Sequence, residues 1–187
     1  MIMMKNKFKL LFYILMTFSI LSCKEAKPQV TFKTHVDKKL KKYVDEFISE
    51  GRKRGFDATP YLKIIDSIRI NPDMEYGYLG LYTPKNHPKF RYFYGTVDIS
   101  PINESDDRLL RRTVFHELAH VCGYKGHPCD VCGDILSSVT SLKLAKKGGD
   151  LYGISWDVKV DTLFSQIKSI PREDNIIRKY IESLNLK

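Results

Sequence analysis

The segment from His116 to Ser138, HELAHVCGYKGHPCDVCGDILSS, constrains this 187-residue chain more than any other stretch. It opens on His-Glu-x-x-His, and three of the chain's five histidines fall between residues 116 and 127. Residues four apart on a helix share a face, so the His116 and His120 imidazoles can ligate a single ion, Zn²⁺ being the expected one. Glu117 adjoins the first ligand, where its carboxylate can reach a metal-bound water without displacing it. His127 is the candidate third ligand, with the Cys129 thiolate and the Asp130 carboxylate as rivals. Three neutral imidazoles would leave the ion its full positive charge, which favours His127. Gly123 can close the helix in a left-handed conformation that turns His127 back towards the metal, with Lys125 and Gly126 taking up the slack.

The residues entering this segment read as a helix from about 105 to 122. Leu110, Val114, Leu118 and Val121 make an apolar stripe at helical spacing. Ser105 or Asn103 can cap its start, and Asp106 and Asp107 face the positive end of the helix dipole.

HELAH followed by Gly123 and His127 resembles the active-site helix of zincin metallopeptidases, and within them the metzincin branch. The third histidine comes one residue later than in HExxHxxGxxH. Asp134-Ile135-Leu136-Ser137 stands where that branch has a methionine-containing turn, with Leu136 available for the same apolar floor. The later histidine resembles that of small bacterial lipoproteins regarded as matrixin-like metallopeptidases, a likeness that extends upstream through VDEFISEGRKRG (residues 44–55). The resemblance implies an α+β zincin-like fold with a small mixed sheet, an active-site helix and extra C-terminal helices. It also implies a peptide or protein substrate, hydrolysed by a water that Glu117 activates on Zn²⁺ held by His116, His120 and His127.

Residues 1–22 read as a targeting segment. Lys5, Lys7 and Lys9 precede a twelve-residue apolar run, Leu10 to Leu21, too short to span a bilayer. Ile20-Leu21-Ser22-Cys23 has the pattern of a lipoprotein signal, with lipidation of Cys23 anchoring an exported protein at the cell envelope. Removal of the signal lowers the formal charge from +9 to +6. That excess suits a solvated basic face or attraction to anionic envelope polymers. Nucleic-acid binding is not expected, because the chain is exported and carries no nucleic-acid motif.

After a linker (residues 23–30), residues 31–187 suffice for one domain. Helical spacing of Val36, Leu40, Tyr43, Val44 and Phe47 predicts a helix over about 35–50, stopped by Gly51. Strands are expected over 61–70, 76–83 and 90–100, with Pro84 to Pro88 as a loop. The last of these strands is either a plain core strand or, as zincins place theirs, a sheet edge along the substrate cleft. Further helices are expected over 134–147, 156–168 and 172–184, the last two packing on the back of the core. His35 and His87 are surface or loop residues, and no feature specifies an oligomeric state.

Cys122, Cys129 and Cys132 remain once Cys23 is assigned to lipid. In an exported chain two of them can pair, and Cys122 with Cys129 or Cys132 would staple the loop carrying His127. Cys129-x2-Cys132 also has the spacing of half a structural zinc site or of a redox motif, but lacks the context of either. Pro128-Cys129-Asp130-Val131-Cys132 lacks the His-x-Glu that zinc deaminases need. Two readings follow. One is an envelope-anchored zinc metalloendopeptidase with Glu117 as its base and Tyr124 or Tyr152 as candidate oxyanion partners. The other is a non-catalytic envelope binding or assembly lipoprotein that keeps a structural zinc site.

Overall fold

The computed structural model describes residues 34–75, 78–86, 93–128, 134–137 and 154–184. The signal segment, Cys23, the linker, His87, Cys129, Cys132 and Tyr152 lie outside them. The described chain is a mixed α+β structure built on a four-stranded mixed sheet and five α-helices.

In chain order the elements are β1 (His35–Val36), α1 (Lys38–Lys53), α2 (Thr59–Leu62), β2 (Ile65–Ile70), β3 (Gly80–Asn86) and β4 (Phe93–Ile99). A 3₁₀ turn (Pro101–Ser105) leads into α3 (Asp107–Val121), followed by α4 (Trp156–Ser169) and α5 (Ile176–Ser183). The strands lie in the order β1-β2-β4-β3, with β1, β2 and β4 parallel and β3 antiparallel to β4. The chain thus lays down β3 as an outer strand and returns with β4 to fill the space between β3 and β2.

That order settles the position of RYFYGTVDIS. Its β4 is an inner strand, and the edge belongs to β3. Pro84, expected in a loop, lies inside β3, which continues to Asn86. An edge strand tolerates proline where its nitrogen faces away from the sheet. The expected strand over 61–70 begins instead as helix α2, and only residues 65–70 pair.

α1 forms because Leu40, Tyr43, Val44 and Phe47 fall on one face, which is buried. It runs past Gly51 rather than stopping there. A Cβ at Gly51 would lie 2.8 Å from the Phe56 carbonyl oxygen and 3.0 Å from the Phe164 ring, so glycine serves close packing inside the last turn. The reversal comes at Gly55, at φ +72°. Asp37 ties the start of α1 to the sheet: its carboxylate accepts from the Ile70 N–H at 2.7 Å.

The core joins α1, α3 and α4 through aromatic contacts. Phe47 meets Phe115 edge-on at 5.2 Å and Phe164 at 5.0 Å, and Phe115 meets Trp156 at 5.1 Å. Phe47, Phe115 and Phe164 are fully buried, each worth roughly 1.5–3 kcal/mol of burial. Among the described residues, no helix is long and apolar enough to cross a membrane.

Candidate metal centre

α3 carries the first two histidines, and its cap is Asp106. The Asp106 carboxylate accepts from the N–H groups of Arg108 and Leu109 at 3.0 and 3.3 Å. Neither Ser105 nor Asn103 has that role. Ser105 closes the 3₁₀ turn by donating to the Ile102 carbonyl. Asn103 is buried, donates to the Leu79 carbonyl at 2.6 Å and accepts from the Thr113 hydroxyl at 3.0 Å. Asn103 therefore fixes the entry of β3 against α3.

α3 ends at Val121, and Gly123 follows at φ +94°, the left-handed reversal that its place in the sequence predicts. Gly126, at φ +80°, supplies a second reversal, which accommodates the extra residue before His127. The loop returns His127 to the helix: its Nε2 lies 3.1 Å from His116 Nε2, which is in turn 3.1 Å from His120 Nε2. Among the described residues, these three histidines form a group able to hold a metal ion, their ligand atoms all within 4.8 Å of one another.

The other ring nitrogens decide what the Nε2 atoms can do. His116 Nδ1 lies 2.8 Å from the Ile135 carbonyl oxygen, and His120 Nδ1 lies 2.9 Å from that of Tyr124. A carbonyl can only accept, so each Nδ1 carries the proton and each neutral ring presents a bare lone pair at Nε2. Burial, with His120 as second cause, pushes the His116 pKa down to about 3, and burial also lowers that of His120. Both rings are neutral near pH 7, as ligation requires. His127 Nε2 can donate to His116, but the His116–His120 contact then sets two acceptors face to face. A cation between the three nitrogens relieves that clash. Zn–N bonds of 2.0–2.1 Å at tetrahedral angles separate ligand nitrogens by about 3.3 Å, close to the 3.1 Å between His116 and each of the other two, whereas the whole group lies within 4.8 Å.

Glu117 points from α3 towards β3 and is 5% exposed. The Tyr82 backbone N–H hydrogen-bonds its carboxylate, but burial dominates and pushes its pKa up to about 8. Gly80 makes the approach possible: a Cβ there would stand 2.7 Å from both Cγ and Oε1 of Glu117. Leu79 bonds through its carbonyl to Ser100 on the β4 side, so by strand alternation the backbone groups of Gly80, Tyr82 and Pro84 face away from β4. They run along a cleft of about 710 Å³ that also holds the three histidines and Glu117.

Two polar residues that sequence reasoning passed over complete the walls. Arg112, one turn before His116 and 7% exposed, donates from Nη2 to the Asp134 carbonyl at 2.9 Å and to the Ser137 hydroxyl at 2.6 Å. Burial draws its pKa down to about 10. Its i, i+4 spacing to His116 was the available signal. Residues 134–137 form a turn rather than the start of a helix; residues 138–147 lie outside the described set. Ile135 and Leu136 are fully buried in that turn. Asn175 caps α5 by accepting from the Arg178 N–H at 2.9 Å and donates to the Cys122 carbonyl, also at 2.9 Å. Ile176 and Ile177 line the cleft, so α5 borders the site while its Ile181 packs into the core.

Cys122 is a free thiol, fully buried, with its pKa raised by burial. It is not a partner in the expected staple, because the end of α3 turns its side chain into the core. Tyr124 lines the cleft, while His35 is exposed on β1, 3.5 Å from Asp37. Comparison with protein-family models, with curated proteins and with solved structures returned no match.

Proposed function

We propose that this chain is a zinc-dependent metallopeptidase of the zincin-like, matrixin-related kind, exported and held at the bacterial cell envelope by a lipid on Cys23. The supporting observation is the convergence of three Nε2 atoms, two of them freed by Nδ1–carbonyl bonds, beside a buried carboxyl group in one cleft. His116, His120 and His127 would hold the ion, and zinc in this place supplies a Lewis acid that polarises a carbonyl and acidifies water.

The protein's own groups do the rest. The outward-facing carbonyls of Gly80, Tyr82 and Pro84 and the Gly80 N–H would align an extended peptide along the strand edge, the Tyr82 N–H being held by Glu117 and Pro84 having none. Burial makes the ionised Glu117 a stronger base than an exposed carboxylate, and in that form it would take a proton from the attacking water and pass it to the departing amine nitrogen.

The test pairs Glu117→Gln with His116→Ala. Glu117→Gln should keep one zinc per chain and the parental fold while peptide cleavage falls by at least about 100-fold. His116→Ala should lose both zinc and cleavage. Unchanged cleavage by Glu117→Gln defeats the peptidase reading. A parent that binds zinc, cleaves nothing and unfolds when a histidine is removed is instead the binding or assembly lipoprotein.

A further inference from the structure

We infer that Arg112 is a positioning residue of the metal centre, holding the turn whose Ile135 carbonyl orients His116. The inference rests on the metal-site reading only for its consequence, not for its geometry.

His116 is the middle nitrogen of the cluster, 3.1 Å from each neighbour. Its ring orientation depends on the 2.8 Å bond from Nδ1 to the Ile135 carbonyl. Among the described residues, that carbonyl belongs to a turn over 134–137 rather than to a helix or strand. Among them the turn closes on itself through two bonds to the Asp134 carbonyl, from the Ser137 N–H at 3.3 Å and the Ser137 hydroxyl at 3.0 Å. Arg112 adds the bonds that tie this turn to α3. Its Nη2 donates to the Asp134 carbonyl at 2.9 Å, the Ser137 hydroxyl at 2.6 Å and the Ser137 carbonyl at 3.4 Å. These acceptors lie on both sides of Ile135, so the guanidinium clamps the residue between them.

The clamp and the ligand share one rigid helix. Four residues separate Arg112 from His116, a rise of about 6 Å. The circuit from guanidinium to turn, to carbonyl, to imidazole and back along α3 is closed. A buried guanidinium costs free energy that an apolar residue would not. All three bonds leave a single nitrogen, so a lysine ammonium, with three donors on one atom, is the conservative variant that can replace part of them. Carbonyls that orient ligand imidazoles matter to the ion: disturbing such partners typically weakens metal affinity 10–100-fold.

The experiment uses the mature protein with ¹⁵N-labelled histidine and two readouts. The first is the His116 Nδ1 proton in the metal-free protein, observed by NMR. The second is zinc affinity by chelator competition, with the visible spectrum of the Co²⁺ form beside it. Arg112→Met should speed exchange of the His116 Nδ1 proton, weaken zinc 10–100-fold and shift the Co²⁺ bands, while Arg112→Lys should restore part of each and the His120 Nδ1 proton stays protected in both. Ser137→Ala removes the hydroxyl that Arg112 grips, together with that hydroxyl's own 3.0 Å bond to the Asp134 carbonyl, without touching the helix, and should act in the same direction by a smaller factor. It carries the test should the Arg112 variants fail to fold.

Loss of thermal stability with both His116 readouts unchanged would make Arg112 a merely structural residue and overturn the inference. The failure of the metal reading looks different: the parent binds no zinc, yet the His116 proton still responds to Arg112.

Discussion

Replacing Glu117 with glutamine should stabilise the metal-free protein, and increasingly so as pH rises. Burial raises the folded-state pKa of this carboxyl to about 8 from an ordinary 4.5. In the unfolded chain it ionises near 4.5, so between those values the folded state binds the extra proton. Stability is then fully present below about pH 4.5 and is lost as pH rises towards 8. At 1.36 kcal/mol per unit, the loss attributable to Glu117 between pH 5 and pH 7 is about 2–3 kcal/mol. Glutamine keeps the shape and the acceptor for the Tyr82 N–H but does not ionise. His116 and His120, with lowered pKa values, act in the opposite sense, losing stability as pH falls below about 6.5. They are common to both proteins and cancel in the difference. Urea unfolding with a chelator present, at pH 5, 6, 7 and 8, measures it. The stability advantage of Glu117→Gln should widen by about 2–3 kcal/mol over pH 5–7. An advantage that is constant or shrinks would refute the claim that burial controls this carboxyl.

Three further outcomes are expected. Gly80→Ala forces a methyl group to 2.7 Å from Glu117 and 2.8 Å from Thr113 Cγ2, so urea unfolding should show a loss of roughly 1–3 kcal/mol. Asn175→Ala removes the cap of α5 and leaves the Cys122 carbonyl without its donor; a loss of about 1–2 kcal/mol in the same assay is expected. Cys23→Ser should release the protein from membranes or block its processing, read by fractionation and intact mass; an unmodified Cys23 on native membrane-bound protein would remove the lipid anchor from the account.

The local parts of the site were legible because they depend on one helical period and one left-handed turn. His116 and His120 four apart, then Gly123, then His127, describe a helix and a reversal with no knowledge of the rest of the chain. The apolar face of α1 was legible for the same reason. Positions set by tertiary approach were not. Gly80 reads as a strand residue, yet it lacks a side chain because Glu117 occupies that space. Gly51 reads as a helix stop, whereas the Phe164 ring requires it inside the helix. Aromatic and β-branched residues mark β3 and β4 equally well as strands, but nothing in their composition says that β4 inserts between β2 and β3. Asn175 falls inside the helix expected over 172–184, and only the fold makes it the cap of α5 and brings the end of α3 to its amide.

The central claim is that three imidazoles, and no cysteine, hold the ion. X-ray absorption at the zinc edge, on protein loaded with one zinc per chain, tests it directly. The account predicts a first shell of nitrogen and oxygen at about 2.0–2.1 Å, with the outer-shell scattering of imidazole rings. A sulfur contribution at about 2.3 Å would place a cysteine thiolate on the metal and contradict it.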